Sequence, residues 1–309
     1  MTQITHEEWL ENRKKGIGGS DVGCIFGLNK YKSNIQVWLE KTSQIEPEDL
    51  SDNFAVEAGI LLEPLILKHF TRITGLAVSK PAQMYISSEY PFMIANVDAE
   101  GTDTEGKRFV VECKTANAFM SKDWTDDKIP PHYELQVLHY IIVNNYDYGY
   151  IVVSINNKEP IIKRIDITET DRKIIISKEK EFWECVQENK MPQVEYDSDS
   201  ADKTLSEILY PVAVKGSVLQ VTNPHIDELI IKRNDLNLSI KKCEEELDLI
   251  ENEIKDFVKD NEKVQTEYHT ITWKNQSTKR LDQSRLKTEQ PDTYNQFLKT
   301  TESRVLRCK

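Results

Sequence analysis

The stretch that most constrains this chain is Val110-Val111-Glu112-Cys113-Lys114-Thr115, preceded by an apolar run from Phe92 to Ala99 that carries Asp98. Both runs are β-prone, and Gly101 and Gly106 between them mark a turn region, so the pair predicts a hairpin. A strand sends successive side chains to opposite faces, which puts Glu112 and Lys114 on one face and Cys113 on the apolar other. Asp98 then meets them across the hairpin. Two carboxylates and an ammonium on one face of a buried sheet desolvate or repel one another, and the arrangement becomes tolerable when a divalent cation joins them. Such a cation polarises phosphate and activates water, so the face reads as metal-dependent phosphodiester hydrolysis. The Glu-x-Lys triplet alone is not specific: it recurs at Glu253-Ile254-Lys255, inside a helical pattern.

The 309 residues suffice for one large domain or two smaller ones. No apolar run reaches 18 residues, and the N-terminus lacks a basic region followed by an apolar one. A soluble, cytosolic protein without membrane attachment is the expectation. Five scattered cysteines without a Cys-x-x-Cys pair predict reduced thiols rather than a disulfide framework or a zinc ribbon. The net charge of -12 argues against a polyanionic partner, but the charge is unevenly placed. From Ile271 to Lys309 nine basic residues face four acidic ones, and Arg13-Lys14-Lys15 forms a second basic cluster. A basic tail on an acidic body can meet DNA locally, although short charge runs are more often solvated surface.

Turn and cap signals predict a helix from about Thr5 to Arg13, a glycine-rich turn Gly16-Ile17-Gly18-Gly19, and Ser20-Asp21 capping a further helix. Free amides at such a helix start favour an anion. Helices are expected near Ile35 to Lys41, Phe54 to Thr74 (ended by Gly75) and Pro131 to Asn144, with another from Thr168. Strands are expected near Leu76 to Ile86, Phe92 to Ala99, Lys107 to Lys114, Tyr148 to Ile155 and Ile161 to Ile167. This is a mixed α/β pattern. The acidic stretch Glu195 to Asp202 marks the end of the core. The predicted division is a core over 1–205, a linker over 206–223, and a C-terminal helical segment with a basic tail over 224–309. From Ile226 to Phe257 the apolar positions recur in alternating steps of three and four, broken only at Arg233, which is a heptad seam in need of a partner. That partner is another subunit, the core, or the segment that follows. Beyond it, Tyr268 to Lys274 alternates like a strand and Asp282 to Lys299 looks helical, with Pro291 interrupting.

With these residues in view the chain resembles the YqaJ-type viral recombinases, relatives of the phage lambda exonuclease within the PD-(D/E)xK nuclease superfamily. The likeness rests on separated motifs in order. They are Trp9 to Asp21 with Gly27-Leu28-Asn29-Lys30-Tyr31; Gly59-Ile60-Leu61-Leu62-Glu63-Pro64; Asp98; Glu112-Cys113-Lys114; and Tyr133-Glu134-Leu135-Gln136 with Tyr140. The resemblance implies a restriction-endonuclease-like core, a central mixed sheet flanked by helices. It implies a magnesium-dependent exonuclease, with Mn2+ as a substitute, that digests linear double-stranded DNA from the 5′ end. The product is 5′-mononucleotides and a 3′ single strand for a single-strand annealing protein, in phage or prophage recombination.

By the same resemblance Asp98, Glu112 and the Cys113 carbonyl ligate the metal, and Lys114 orients or helps deprotonate the attacking water. Glu63 supports the metal shell, Gln136 holds the nucleophile or a catalytic side chain, and Tyr133 and Tyr140 support the site. Arg13 and Ser20 match positions that grip a 5′-terminal phosphate, and Asn96 stands where relatives carry a phosphate-contacting hydroxyl. Ala99 replaces the glycine that often follows the aspartate. A trimeric ring that threads DNA is implied as well. Relatives with an iron–sulfur cluster need four suitably spaced cysteines, which this chain lacks. Two other readings stay open: a restriction-type endonuclease of the same superfamily, and a non-catalytic module that binds DNA ends.

Overall fold

In the computed structural model, which describes residues 11, 13–50, 52–126, 128–196, 200–301 and 304–308, the chain divides into two compact units, Met1–Pro211 and Val212–Lys309. The first unit therefore extends past residue 205, where the sequence placed the end of the core. Its strands are β1 (Ile17–Gly18), β2 (Tyr85–Ile86), β3 (Met93–Ala95), β4 (Ala99–Thr102), β5 (Arg108–Ala116), β6 (Tyr148–Ile155) and β7 (Ile161–Asp166). Its main helices are α1 (Gly19–Ile25), α2 (Asn34–Lys41), α3 (Phe54–Thr74), α4 (Pro131–Asn144) and α5 (Glu169–Gln187).

The larger sheet has the order β4-β5-β6-β7 and the smaller one β1-β3-β2. Strands β4 and β5 form the expected antiparallel pair, joined by a turn in which Gly106 adopts φ 84°. Strands β5 and β6 run parallel, so the chain must cross over between them, and α4 is that crossover. The β5 alternation splits the apolar residues between two layers. Phe109 and Val111 pack with Tyr148 and Val152 against Ile66 and Phe70 of α3. Val110 packs with Ile151 and Val153 against Val137 and Ile141 of α4. Phe70 and Phe109 are fully buried, each burial contributing roughly 1.5–3 kcal/mol.

Helix ends follow residues that terminate or start helices for a physical reason. Asn53 caps α3, and Gly75 ends it at φ 73°. Pro131 opens α4, where its missing N–H costs nothing, and Asn145 closes it at φ 49°. Thr168 caps α5 and accepts from the Asp171 amide, while Asp171 reaches back to the Thr168 amide.

Three expectations need correction. The run Leu76 to Ile86 is not one strand: it gives a single bridge, Ser79 to Glu100, and then β2. Pro81 between them has no N–H for a ladder. The run Phe92 to Ala99 is likewise split, since β3 pairs within the small sheet and β4 with β5, with Asn96, Val97 and Asp98 at the changeover. Finally, Ser20 is not the N-cap of α1. Gly18 is its N-cap, and Asp21 accepts from the Gly18 amide at 3.0 Å. Most of the helix expected from Thr5 to Arg13 lies outside the described residues.

The second unit contains one long helix, α6 (Pro224–Val258), followed by a hairpin of β8 (Lys263–Gln265) and β9 (Thr270–Thr272) and the short helices α7 (Gln283–Glu289) and α8 (Pro291–Gln296). The strand expected near Tyr268 is thus half of a hairpin. Among the described residues no helix is long and apolar enough to cross a membrane.

Candidate active site

Strand β5 carries its charged residues toward α4. The register of the hairpin ends at Ala99 opposite Val111, so Asp98, one residue earlier, lies level with Glu112. Asp98 Oδ2 accepts from the Cys113 amide at 2.8 Å. Lys114 Nζ donates to Glu112 Oε1 at 2.6 Å, and Gln136 Nε2, on α4, donates to the same oxygen at 2.7 Å and to the Tyr140 hydroxyl at 2.9 Å. Lys114 also lies 4.9 Å from the centre of the Tyr133 ring, which is stacked on Trp124. The structure therefore brings Asp98, Glu112, Cys113, Lys114, Gln136, Tyr133 and Tyr140 into one cluster.

The electrostatics of the cluster are uneven. Burial, and then the neighbouring Glu112, push the Asp98 carboxyl up to about 8. Burial would lower the Lys114 ammonium, but Glu112 outweighs it and holds the group above its ordinary value, so Lys114 is a cation. Burial and Asp98 raise the Cys113 thiol far above its ordinary range, and its side chain packs in the α3 layer. A thiol kept protonated is not a nucleophile. Both donors to Glu112 share Oε1, which leaves the buried Oε2 with no hydrogen-bond partner. A buried carboxylate oxygen with no donor is unfavourable unless something else meets it.

That orphaned oxygen, beside a second carboxyl whose proton is held by burial and then by the charge of Glu112, fits a small divalent cation. Among the described residues no three His, Cys, Asp or Glu side chains form a metal cage. Two carboxylates with a backbone carbonyl and water match the sparse ligation that magnesium accepts.

Glu63 stands differently. It is on α3, and its Oε1 accepts from Lys80 Nζ at 2.7 Å. Glu63 still bears on the cluster, because its charge adds to the upward push on Asp98. Sequence reasoning missed Lys80, which lies in the irregular segment mistaken for a strand. Its ammonium is raised first by the bond to Glu63 and feels Asp98 as well.

A second group of charges sits at the start of α1. Arg13 donates to Ser20 Oγ at 2.9 Å and reaches Asp21 at 3.4 Å. Lys41 meets the other Asp21 oxygen at 2.7 Å and also donates to the Arg13 carbonyl at 2.6 Å. Burial opposes the charge on Asp21, but Lys41 and Arg13 outweigh it and hold the carboxyl well below its ordinary value. Ser20 and Asn96 are exposed. Helix α1 packs closely on α4: a Cβ at Gly19 would come 2.5 Å from the Tyr140 ring and 3.0 Å from Gln136, and one at Gly23 would come 2.7 Å from His132. The glycines thus let the charged helix start lie directly behind the residues that hold Glu112.

Helix α4 is fixed from its other side by a fully buried pair. His139 Nδ1 faces Glu179 Oε1 at 2.8 Å, and its Nε2 meets the Ile94 carbonyl at 2.9 Å. The Ile94 carbonyl can only accept, so Nε2 donates, and the proton of the second contact is shared between His139 Nδ1 and Glu179, whose carboxyl burial pushes up. Burial would lower the pKa of the imidazole, and Glu179 reverses that. This pair carried no local signal in the sequence.

Comparison with known proteins places this arrangement in context. Residues 8–147 match the YqaJ-like viral recombinase domain. The uncharacterized protein YqaJ of Bacillus subtilis (strain 168) is 32% identical over 310 residues, covering 98% of this chain and 94% of that protein. Among solved structures, the alkaline exonuclease LHK-Exo of Laribacter hongkongensis superposes with a TM-score of 0.51 at 18% identity, over 59% of this chain and 93% of that one. The same exonuclease in complex with dAMP superposes equally well. The shared fold is a mixed α/β core of the PD-(D/E)xK-like type, sheets flanked by helices.

Proposed function

Because this chain belongs to the YqaJ-like viral recombinase family, we propose that it is a magnesium-dependent exonuclease that degrades one strand of linear duplex DNA from its 5′ end. The observation that carries the reading is the Asp98, Glu112 and Lys114 cluster with its partnerless Glu112 oxygen. Asp98 and Glu112 would hold the cation, with the Cys113 carbonyl as a further ligand. When bound, a divalent cation supplies a Lewis acid for the phosphate and lowers the pKa of its water.

The other residues have distinct tasks. Lys114, already protonated, cannot take up a proton, so it orients the attacking water and offsets charge that develops on the phosphate. Gln136 fixes the Glu112 carboxylate, with Tyr140 fixing Gln136 in turn. Tyr133 lies against Lys114 and limits where its ammonium can go. Glu63, paired with Lys80, adds negative charge behind Asp98 and supports the metal shell through water.

Arg13 and Ser20, held together beside the start of α1, would receive the 5′-terminal phosphate. Asn96 can donate an amide hydrogen bond to a DNA phosphate from the changeover segment. Mn2+ can replace Mg2+ in such an oxygen-rich site. A trimeric ring around the duplex would provide processivity, and a single-strand annealing protein would take up the 3′ strand.

The test uses linear duplex DNA labelled at the 5′ or 3′ end, with magnesium or EDTA, and a covalently closed circle as control. Early release of mononucleotide from the 5′ label, with the circle spared, is the expected result. Cutting of the circle would replace this reading with an internal endonuclease, and binding without any cleavage would replace it with an end-binding module. Arg13→Ala is expected to reduce the preference for 5′-phosphorylated over 5′-hydroxyl ends more than it reduces cleavage. A wild-type protein with no such preference would remove the phosphate-grip role.

A further inference from the structure

We infer that α6 pairs antiparallel with the same helix of a second copy of this chain. The inference does not rest on the nuclease reading. The helix has 35 residues, about 52 Å at 1.5 Å per residue. Its a and d positions run without a gap from Ile226 to Phe257, and only Arg233 among them is charged. The seam is solvent-facing along its length: Ile226 is 45% exposed, Leu236 56%, Ile240 56% and Phe257 68%.

Charge decides what covers it. The N-terminal part of the helix, Pro224 to Lys242, has four basic residues against three acidic ones. The remainder, Cys243 to Val258, has seven acidic residues against one basic. A parallel pair would set the two acidic halves side by side, place Glu246 against Glu251 of the second copy, and stack Arg233 on Arg233 in a core layer. Like charges at such positions are unfavourable.

Turning one copy round removes each conflict. In the antiparallel register that uses the whole helix, Ile226 faces Phe257, Leu236 faces Leu247, and Ile240 faces Cys243. Arg233 then faces Ile250 within the acidic half of the second copy, where its guanidinium has carboxylates in reach. At the flank of the seam, exposed Lys232 meets exposed Glu253. One register therefore fills every core layer and joins opposite charges, which is self-complementarity of the kind a two-fold pair requires. An unrelated partner would impose no such internal match between the two halves of one helix. Where the nuclease units form a three-fold ring, pairs of this kind join two rings.

The test measures the mass of the full-length protein in solution by light scattering, for the wild type and for Ile240→Asp, Lys232→Glu, Glu253→Lys and the double charge variant. Circular dichroism confirms that each variant keeps its helix. The wild type is expected to have twice the mass of Ile240→Asp. Each single charge variant is expected to dissociate about two- to tenfold more readily, and the double variant to return to the wild-type value. Equal masses for wild type and Ile240→Asp would overturn the inference, whether the helix then lies on its own chain or awaits another protein. A double variant that fails to recover would overturn the antiparallel register, because in a parallel pair residues 232 and 253 do not meet.

Discussion

Asp21 and Asp98 are aspartates of the same unit, each near a lysine, and yet their carboxyls sit at opposite ends of the titration range. Asp21 has two cations and a backbone amide, with Lys41 at 2.7 Å, Arg13 at 3.4 Å and Gly18 at 3.0 Å. Asp98 has one amide, and the nearby ammonium of Lys114 is committed to Glu112. The first group is electrically complete within the chain. The second has two carboxylates for one ammonium, a partnerless oxygen, and an Asp98 carboxyl pushed up to about 8. Burial alone does not separate structural from functional charge; what separates them is whether the chain supplies the counter-charge.

Substituting the complete site should do the most damage. Asp21→Asn leaves Lys41, 5% exposed, without its counter-charge, and is expected to lower unfolding free energy by about 3–5 kcal/mol, measured by urea denaturation near neutral pH. The pH dependence has a definite sign. A carboxyl whose folded pKa is depressed contributes fully above its unfolded value, 3.8 here, and that contribution is lost as pH falls toward the lower folded value. The wild type should therefore lose stability below about pH 4 more steeply than Asp21→Asn. Equal acid limbs would show that the pair does not stabilise the fold.

At the incomplete site the loss should appear in catalysis instead. Lys114→Ala is expected to reduce cleavage by roughly 10²–10³-fold, while calorimetric titration still detects divalent cation binding. Cleavage near the wild-type rate would remove Lys114 from the active site.

The helix contact that links the two sites offers an intermediate test. Gly19→Ala would drive a methyl to within 2.5 Å of the Tyr140 ring, overpacking of a kind that costs about 1–3 kcal/mol. Its expected signature is a lower melting temperature together with slower cleavage, because Tyr140 positions Gln136 against Glu112. A lower melting temperature without any change in cleavage would uncouple α1 from the site.

The smallest effect has the opposite sign. Asp98→Asn removes a buried carboxyl that, without a cation, must either take up a proton or repel Glu112, so in EDTA near neutral pH it should raise the melting midpoint by roughly 2–4 °C, about 1 kcal/mol for a unit of this size. In magnesium the wild type should gain stability and the variant should not. A variant less stable than wild type in EDTA would mean that Asp98 is already satisfied without a cation.

Much of this was legible because the determinants are local. Gly75, Pro131, Asn145 and Thr168 mark helix ends by backbone geometry or missing donors, and α3 and α4 begin and end where those residues place them. The alternation in β5 separates Glu112 and Lys114 from Cys113, and the hairpin brings Asp98 level with them. What escaped depends on residues far apart in sequence. Asp21 with Lys41, Glu63 with Lys80 and His139 with Glu179 have no spacing that announces them. Gly19 and Gly23 read as turn and helix residues, and only the approach of α4 gives them a packing role. The expected strand from Leu76 fails for a nearer reason: Pro81 has no N–H to give to a ladder.

Asp98 stands where the chain leaves the small sheet and joins the large one, between β3 and β4. Glu112 belongs wholly to the large sheet, and β3 is tied to α4 through the Ile94 carbonyl and His139. The distance between the two carboxylates is thereby a readout of how the two sheets are seated on each other. A ligand that draws the carboxylates together acts as a clasp across the sheet boundary, so tightening the site and tightening the fold become the same event.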